Sequence, residues 1–146
     1  MAVGTYIEDL GRHVGETVVL RGWLYNSRHS GKLYFLLVRD GTGTVQGVVS
    51  KKDVDEATWQ ACESATQEAA LVMAGTVRAD ERAPGGFELT VSEVRVAATA
   101  VDYPITPKDH GTDFLMDHRH LWLRSSRQHA ILRVRHELVI GIRDFL

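Results

Sequence analysis

The chain has 146 residues, 44% of them apolar and 25% charged, with a net charge of −2. That composition suits one compact globular domain with a short extension and excludes a disordered or low-complexity polymer. The near-neutral balance argues against nonspecific coating of duplexes, which needs many Lys and Arg to neutralise phosphates.

The elements follow in chain order. Thr5-Tyr6-Ile7-Glu8 has capping-box spacing and predicts a brief helix over 6–12, ended by Gly15. Residues 17–26 alternate, with Val18, Leu20 and Leu24 on one side and Arg21, Trp23 and Tyr25 on the other, which predicts a strand. A second strand is expected over 33–39, a tight turn at Asp40-Gly41 and a third strand over 44–49. Residues 53–67 break the alternation; Asp53 is the expected N-cap of an acidic-fronted helix carrying Ala57, Trp59 and Ala65. Fourth and fifth strands are expected over 70–78 and 87–97, joined through a turn at Ala83-Pro84-Gly85-Gly86. Tyr103-Pro104 and Thr106-Pro107 favour extended backbone, so 103–125 reads as a hinge. Residues 126–145 place Ile131, Val134, Leu138, Ile142 and Phe145 at helical spacing, with Ser126 as a candidate N-cap. This last pattern stops at Leu146 with no Gly, Pro or polar tail, which suggests a truncated chain.

Three strands, a helix and two strands is the order of an OB-fold, a mainly β, five-stranded barrel with its helix between strands three and four. Gly22 and Gly47 fit the sharp bends of a small barrel. A β-sandwich is the rival, but it usually needs more strands. The expected division is a barrel over 1–102, the hinge, and a helix over 126–146.

Charge is uneven along the chain. Residues 11–52 hold Arg12, Arg21, Arg28, Lys32, Arg39, Lys51 and Lys52 against only Glu16 and Asp40, whereas 53–68 hold five acids and no Lys or Arg. A basic face beside an acidic helix is compatible with local docking of a nucleic acid, and equally with a solvated mixed surface. No apolar run reaches the length of a membrane span, and the N-terminus lacks the layout of a signal peptide, so a cytoplasmic location and no membrane partner are expected. Cys62 is alone and is expected to be a small buried apolar residue.

The most informative stretch is 22–49. Gly22-Trp23, Arg28, Phe35, Arg39-Asp40 and Gln46 stand at spacings that resemble the anticodon-binding domain of the aspartyl/asparaginyl/lysyl group of class II aminoacyl-tRNA synthetases. The resemblance runs on through Gly75-Thr76-Val77-Arg78 and Glu88-Leu89, and covers almost the whole chain. It implies a tRNA anticodon loop as partner. Phe35 would stack on the central uridine, Gln46 would hydrogen-bond that base, and Arg28, placed in a loop, would contact a base or phosphate. Arg78 would make a backbone contact. Physics agrees: an outward aromatic ring stacks on an unpaired base for about 1–3 kcal/mol, while amide and guanidinium groups pair with base edges. Alternation puts Phe35 with Leu33 and Arg39 outward, so that Phe35 and Arg39 point to the RNA face and Arg39 is a further candidate tRNA contact, and it puts Tyr34, Leu36 and Val38 in the core. Without the motif a strand phenylalanine is more often core. Gln46 and Arg28 also have ordinary surface readings, and Arg39 could simply pair with Asp40.

The hinge, with Arg119-His120-Leu121-Trp122-Leu123-Arg124 as its most telling part, resembles the asparaginyl branch more than the aspartyl or lysyl ones. The implied whole protein is a homodimeric ligase that uses ATP and Mg²⁺. The class II motifs that bind ATP lie downstream in that family, so this chain is expected to hold no catalytic residue and no cofactor, and to be inactive alone. An aspartyl enzyme, possibly one charging both tRNAs, and a stand-alone OB module for single-stranded nucleic acid are the alternatives. Gly41, Gly43 and Gly47 lack dinucleotide-loop spacing. His110, Asp113, Asp117, His118 and His120 lack the spacing of a zinc site, so no metal is expected.

Overall fold

A computed structural model describes residues 3–146. The chain separates into two compact units, Met1–Asp102 and Tyr103–Leu146. In the first, β1 (Val3–Gly4), β2 (Thr17–Ser30), β3 (Leu33–Arg39), β4 (Thr44–Ser50), β5 (Ala70–Ala79) and β6 (Phe87–Ala98) form one sheet. Its order is β1-β2-β3-β4-β6-β5, and β2 pairs again with β5. The second pairing closes strands β2 to β6 into a five-stranded OB barrel. The two-residue β1 adds a parallel pairing on Val18 and Val19 of β2.

β2 serves both pairings because it turns a corner. Thr17–Trp23 pairs with β5, and Trp23–Ser30 pairs with β3. Gly22 stands at the corner, where an added Cβ would run into the Arg39 carbonyl oxygen. Alternation sends Val18, Leu20 and Leu24 of β2, Leu36 and Val38 of β3, and Val45 and Val49 of β4 into the barrel interior, each at most 1% exposed. Each such side chain contributes about 1.5–3 kcal/mol of burial.

Two helices close the barrel at opposite ends of β3. At the Tyr34 end, α1 (Glu56–Ser64) buries Trp59 and Cys62, with Trp59 4.7 Å from Tyr34 between ring centroids. Burial pushes the Cys62 thiol up to about 11. At the Asp40 end lies a 3₁₀ helix over Ile7–Arg12, burying Leu10.

Local details depart from expectation, each for a physical reason. Thr5 does not cap the first helix. Its leading N–H groups are satisfied from across the barrel, Ile7 N–H donating to Asp40 Oδ2 at 2.9 Å and Glu8 N–H to Thr42 Oγ1 at 3.1 Å. Asp55, not Asp53, caps α1, accepting from Thr58 N–H at 2.8 Å; hydrogen bonding from the Thr58 side chain, then from its backbone, lowers the Asp55 carboxyl below its usual range. The helix is accordingly shorter than 53–67. Asp40-Gly41 is no two-residue turn. Residues 40–43 form a loop in which Asp40 Oδ1 accepts from Thr42 N–H at 2.7 Å, Thr42 Oγ1 at 2.7 Å and Gly43 N–H at 2.9 Å.

The second unit contains α2 (Thr112–Asp117), α3 (Arg119–Trp122) and α4 (Ser126–Phe145). The stretch read as a hinge, 103–125, thus carries two short helices after its prolines. Ser125, not Ser126, caps α4 by accepting from Gln128 N–H at 3.3 Å. His110 stacks on Phe114 with centroids 4.8 Å apart, and His118 meets the same ring at a tilt, 4.4 Å away. No group of three or more metal-ligating side chains converges among the described residues, nor is any described helix long and apolar enough to cross a membrane.

Candidate nucleic-acid interface

A β-bulge in β2 sets which of its side chains reach the outer face of the barrel. Between Leu24 and Asn26 the β2–β3 register shifts, leaving Tyr25 without a cross-strand partner. A bulge of this kind reverses the side-chain alternation beyond it. Trp23 and Arg28, an odd number of positions apart, thereby share the outer face. Without the bulge, Arg28 would point inward.

Cross-strand rows follow from the register. In one row Arg28 is opposite Phe35, Phe35 opposite Val48, and Val48 opposite Thr90. The next row runs Asn26, Leu37, Gln46, Glu88 and Arg78 across five strands. Phe35 is half-buried, its neighbours Tyr34 and Leu36 being buried on the other side of β3. Gln46 shares the outer face with Phe35, one row along.

Arg28 belongs to β2, not to a loop. The strand continues to Ser30, and the hairpin turns on Gly31, whose φ of 60° suits glycine. The Arg28 guanidinium carbon lies 4.7 Å from the Phe35 ring centroid. A cation over an exposed ring contributes about 0.5–1 kcal/mol.

Arg39 emerges on the outer side and is paired there with Glu68. Its guanidinium donates to Glu68 Oε2 at 2.8 Å, with side chains only 16% and 3% exposed, and lies 5.8 Å from the Tyr25 ring centroid. The partner is Glu68 rather than Asp40. Glu68 itself has left-handed backbone, φ 65°, a conformation a non-glycine keeps only where its surroundings hold it. Arg78 is well exposed, 3.8 Å from Glu88 Oε1, a surface pair worth little.

The geometry adds residues that sequence reasoning passed over. Glu88 stands between Gln46 and Arg78, and Asn26 heads the same row. Glu88 was visible only as part of the Glu88-Leu89 match. Asn26 could not be placed without the bulge. Exposed Trp23 and Tyr25 complete a face of aromatic, amide and guanidinium groups. Such a face suits single-stranded nucleic acid, which offers ring faces, pairing edges and phosphates together.

The chain is similar to known proteins in sequence and in fold. A family profile described as an OB-fold nucleic acid binding domain, that of the tRNA anti-codon group, matches residues 18–97. An asparagine–tRNA ligase of Sorangium cellulosum is 59% identical over 138 residues, covering 94% of this chain and 31% of that protein. One from Pelotomaculum thermopropionicum is 53% identical over 139 residues, 95% of this chain and 32% of its own length. This chain thus spans about a third of the length of these curated relatives. The crystal structure of asparaginyl-tRNA synthetase from Pyrococcus horikoshii superposes with a TM-score of 0.89 at 36% identity, covering 100% of this chain and 36% of that one. With the profile spanning more than half of its residues, the chain belongs to the tRNA anti-codon family of OB-fold nucleic acid binding domains.

Proposed function

We propose that this chain is the anticodon-reading part of an asparagine–tRNA ligase, and that its outer barrel face grips the anticodon loop of the tRNA. The observation that carries this reading is the outward Phe35 ring, with Arg28 against it and Gln46 on the same face. A base stacked on such a ring gains about 1–3 kcal/mol. The Arg28 contact it would displace is worth about 0.5–1 kcal/mol. Exchange therefore favours the base and releases a guanidinium for its edge or phosphate. Gln46, with one donor group and one acceptor, suits the paired acceptor and donor on the edge of uracil. The names of the relatives, at 50–59% identity, support the asparaginyl assignment.

The whole protein is proposed to work as a homodimer in the cytoplasm. It would use ATP and Mg²⁺, held by residues outside this chain, to activate asparagine before transfer. No residue of this chain is assigned a catalytic role, and the chain alone is expected to form no adenylate.

Phe35→Ala in the full-length protein tests the reading. Weaker tRNA binding by about 5- to 150-fold is expected, the equivalent of one lost base stack, with asparagine activation retained. Loss of adenylate formation, or a fall in stability of about 3–5 kcal/mol as for a core phenylalanine, would refute it.

A further inference from the structure

The β2–β3 hairpin has a second side. His29 and Tyr34 are cross-strand partners whose side chains point away from the Arg28–Phe35 row. Their rings stack at 4.5 Å, and Trp59 of α1 meets both, 4.7 Å from Tyr34 and 5.9 Å from His29. Tyr34 and Trp59 are buried, whereas His29 is exposed.

These rings form the floor of a cleft of about 560 Å³ rimmed by Lys32, Lys51 and Lys52. The lysines are held near one another by backbone: Lys51 N–H donates to the Lys32 carbonyl at 3.0 Å, tying the hairpin turn to the end of β4. Lys51 Nζ lies 5.1 Å from the Trp59 ring centroid. All three lysines are exposed, and no ion pair among the described residues involves them. Glu63 is the one acid in the cleft lining. Gathering three ammonium groups raises their mutual repulsion, which an anion in the cleft relieves.

Position says which anion. The last cross-strand row of the outer face is Ser30, Leu33 and Ser50, and Lys32 and Lys51 stand immediately beyond it. A strand lying over Gln46 and Phe35 that continues past this row arrives at the lysines. We propose that the cleft is a second RNA contact, in which Lys32, Lys51 and Lys52 hold phosphodiesters flanking the bases read on the outer face, with the exposed His29 ring as a surface for one further base. The proposal rests on the RNA reading of the outer face.

Salt dependence tests it directly. The 146-residue chain is titrated with an anticodon stem–loop RNA at several salt concentrations, as wild type, Phe35→Ala, and the combined Lys32→Gln, Lys51→Gln, Lys52→Gln variant. Each lost single-strand phosphate contact lowers the slope of log Kd against log salt by about 0.7, so the lysine variant should lose about 2. Its Kd then rises about 100-fold less than wild type over a tenfold increase in salt. The matching Arg variant, Lys32→Arg, Lys51→Arg, Lys52→Arg, should keep the wild-type slope. Phe35→Ala should weaken binding with little change of slope. An unchanged slope in the Gln variant, with Phe35→Ala still weakened, overturns the cleft alone. No binding by the wild-type chain, or full binding by Phe35→Ala, overturns the RNA reading beneath it. Thermal unfolding of each variant should show that the exposed lysine substitutions and the half-buried Phe35→Ala leave the barrel folded.

Discussion

Asp40 shows how one side chain can join two parts of a fold. Its two oxygens accept from Ile7 N–H, Thr42 N–H, Thr42 Oγ1 and Gly43 N–H, and the residue is 8% exposed. It organises the β3–β4 loop and also satisfies the first orphan donor of the 3₁₀ helix, which has no cap of its own. Asp40→Ala should cost about 3 kcal/mol, because four part-buried donors lose their side-chain acceptor. Asp40→Asn should recover part, keeping one acceptor oxygen. Urea unfolding measures both; an alanine cost below about 0.5 kcal/mol, the scale of a surface change, would show that water replaces the carboxylate. Arg39, next in the chain, makes a contrasting point. Sequence pattern gave its outward direction correctly, but no local signal reveals Glu68, which lies 29 positions away.

At the scale of the element, glycine and the bulge decide where strands can approach. An alanine at 22 would meet the Arg39 backbone carbonyl, which cannot move without breaking the β2–β3 ladder. At 47 the added Cβ would meet the Met73 sulfur at 2.5 Å and a Val91 methyl at 2.9 Å, both side-chain atoms able to shift. Gly22→Ala should therefore lower stability by about 3 kcal/mol or more and Gly47→Ala by about 1. The order of their urea midpoints is the readout, and a reversed order would show that the interior is less yielding than the β2 corner. The same elements show what the sequence could disclose. The five strands and α1 are legible because one face of each is buried, which imposes period two or a capped helical stretch. The end of β2, 27–30, is exposed throughout and carries no such period. The Tyr25 bulge adds a residue without altering composition. For that reason Phe35 and Gln46 can be placed on one face by counting, while Arg28 and Asn26 cannot. The helices α2 and α3 follow prolines at 104 and 107, whose extended bias ends with the residues they touch.

For the molecule as a whole, the two units differ in how completely they bury their apolar surface. Every strand of the barrel and its closing β2–β5 pairing lie within 1–102, and so do all the buried core residues. In the second unit α4 exposes Val134, Leu138, Ile142 and Phe145 at 61%, 63%, 59% and 88%, at intervals that place them along one helix face. An apolar stripe of this kind promotes self-association in water. Residues 1–102 produced alone should therefore fold cooperatively, stay monomeric and bind the anticodon stem–loop within about threefold of the 146-residue chain, since the proposed RNA-facing residues all lie in the barrel. The longer chain should associate as its concentration rises, and Leu138→Glu should suppress this without changing RNA affinity. Sedimentation velocity and anisotropy titration give the two readouts. If the 1–102 chain is unfolded, or folded but tenfold or more weaker for RNA, the barrel does not account for recognition by itself, because residues of 103–146 would then supply either its stability or part of the contact surface.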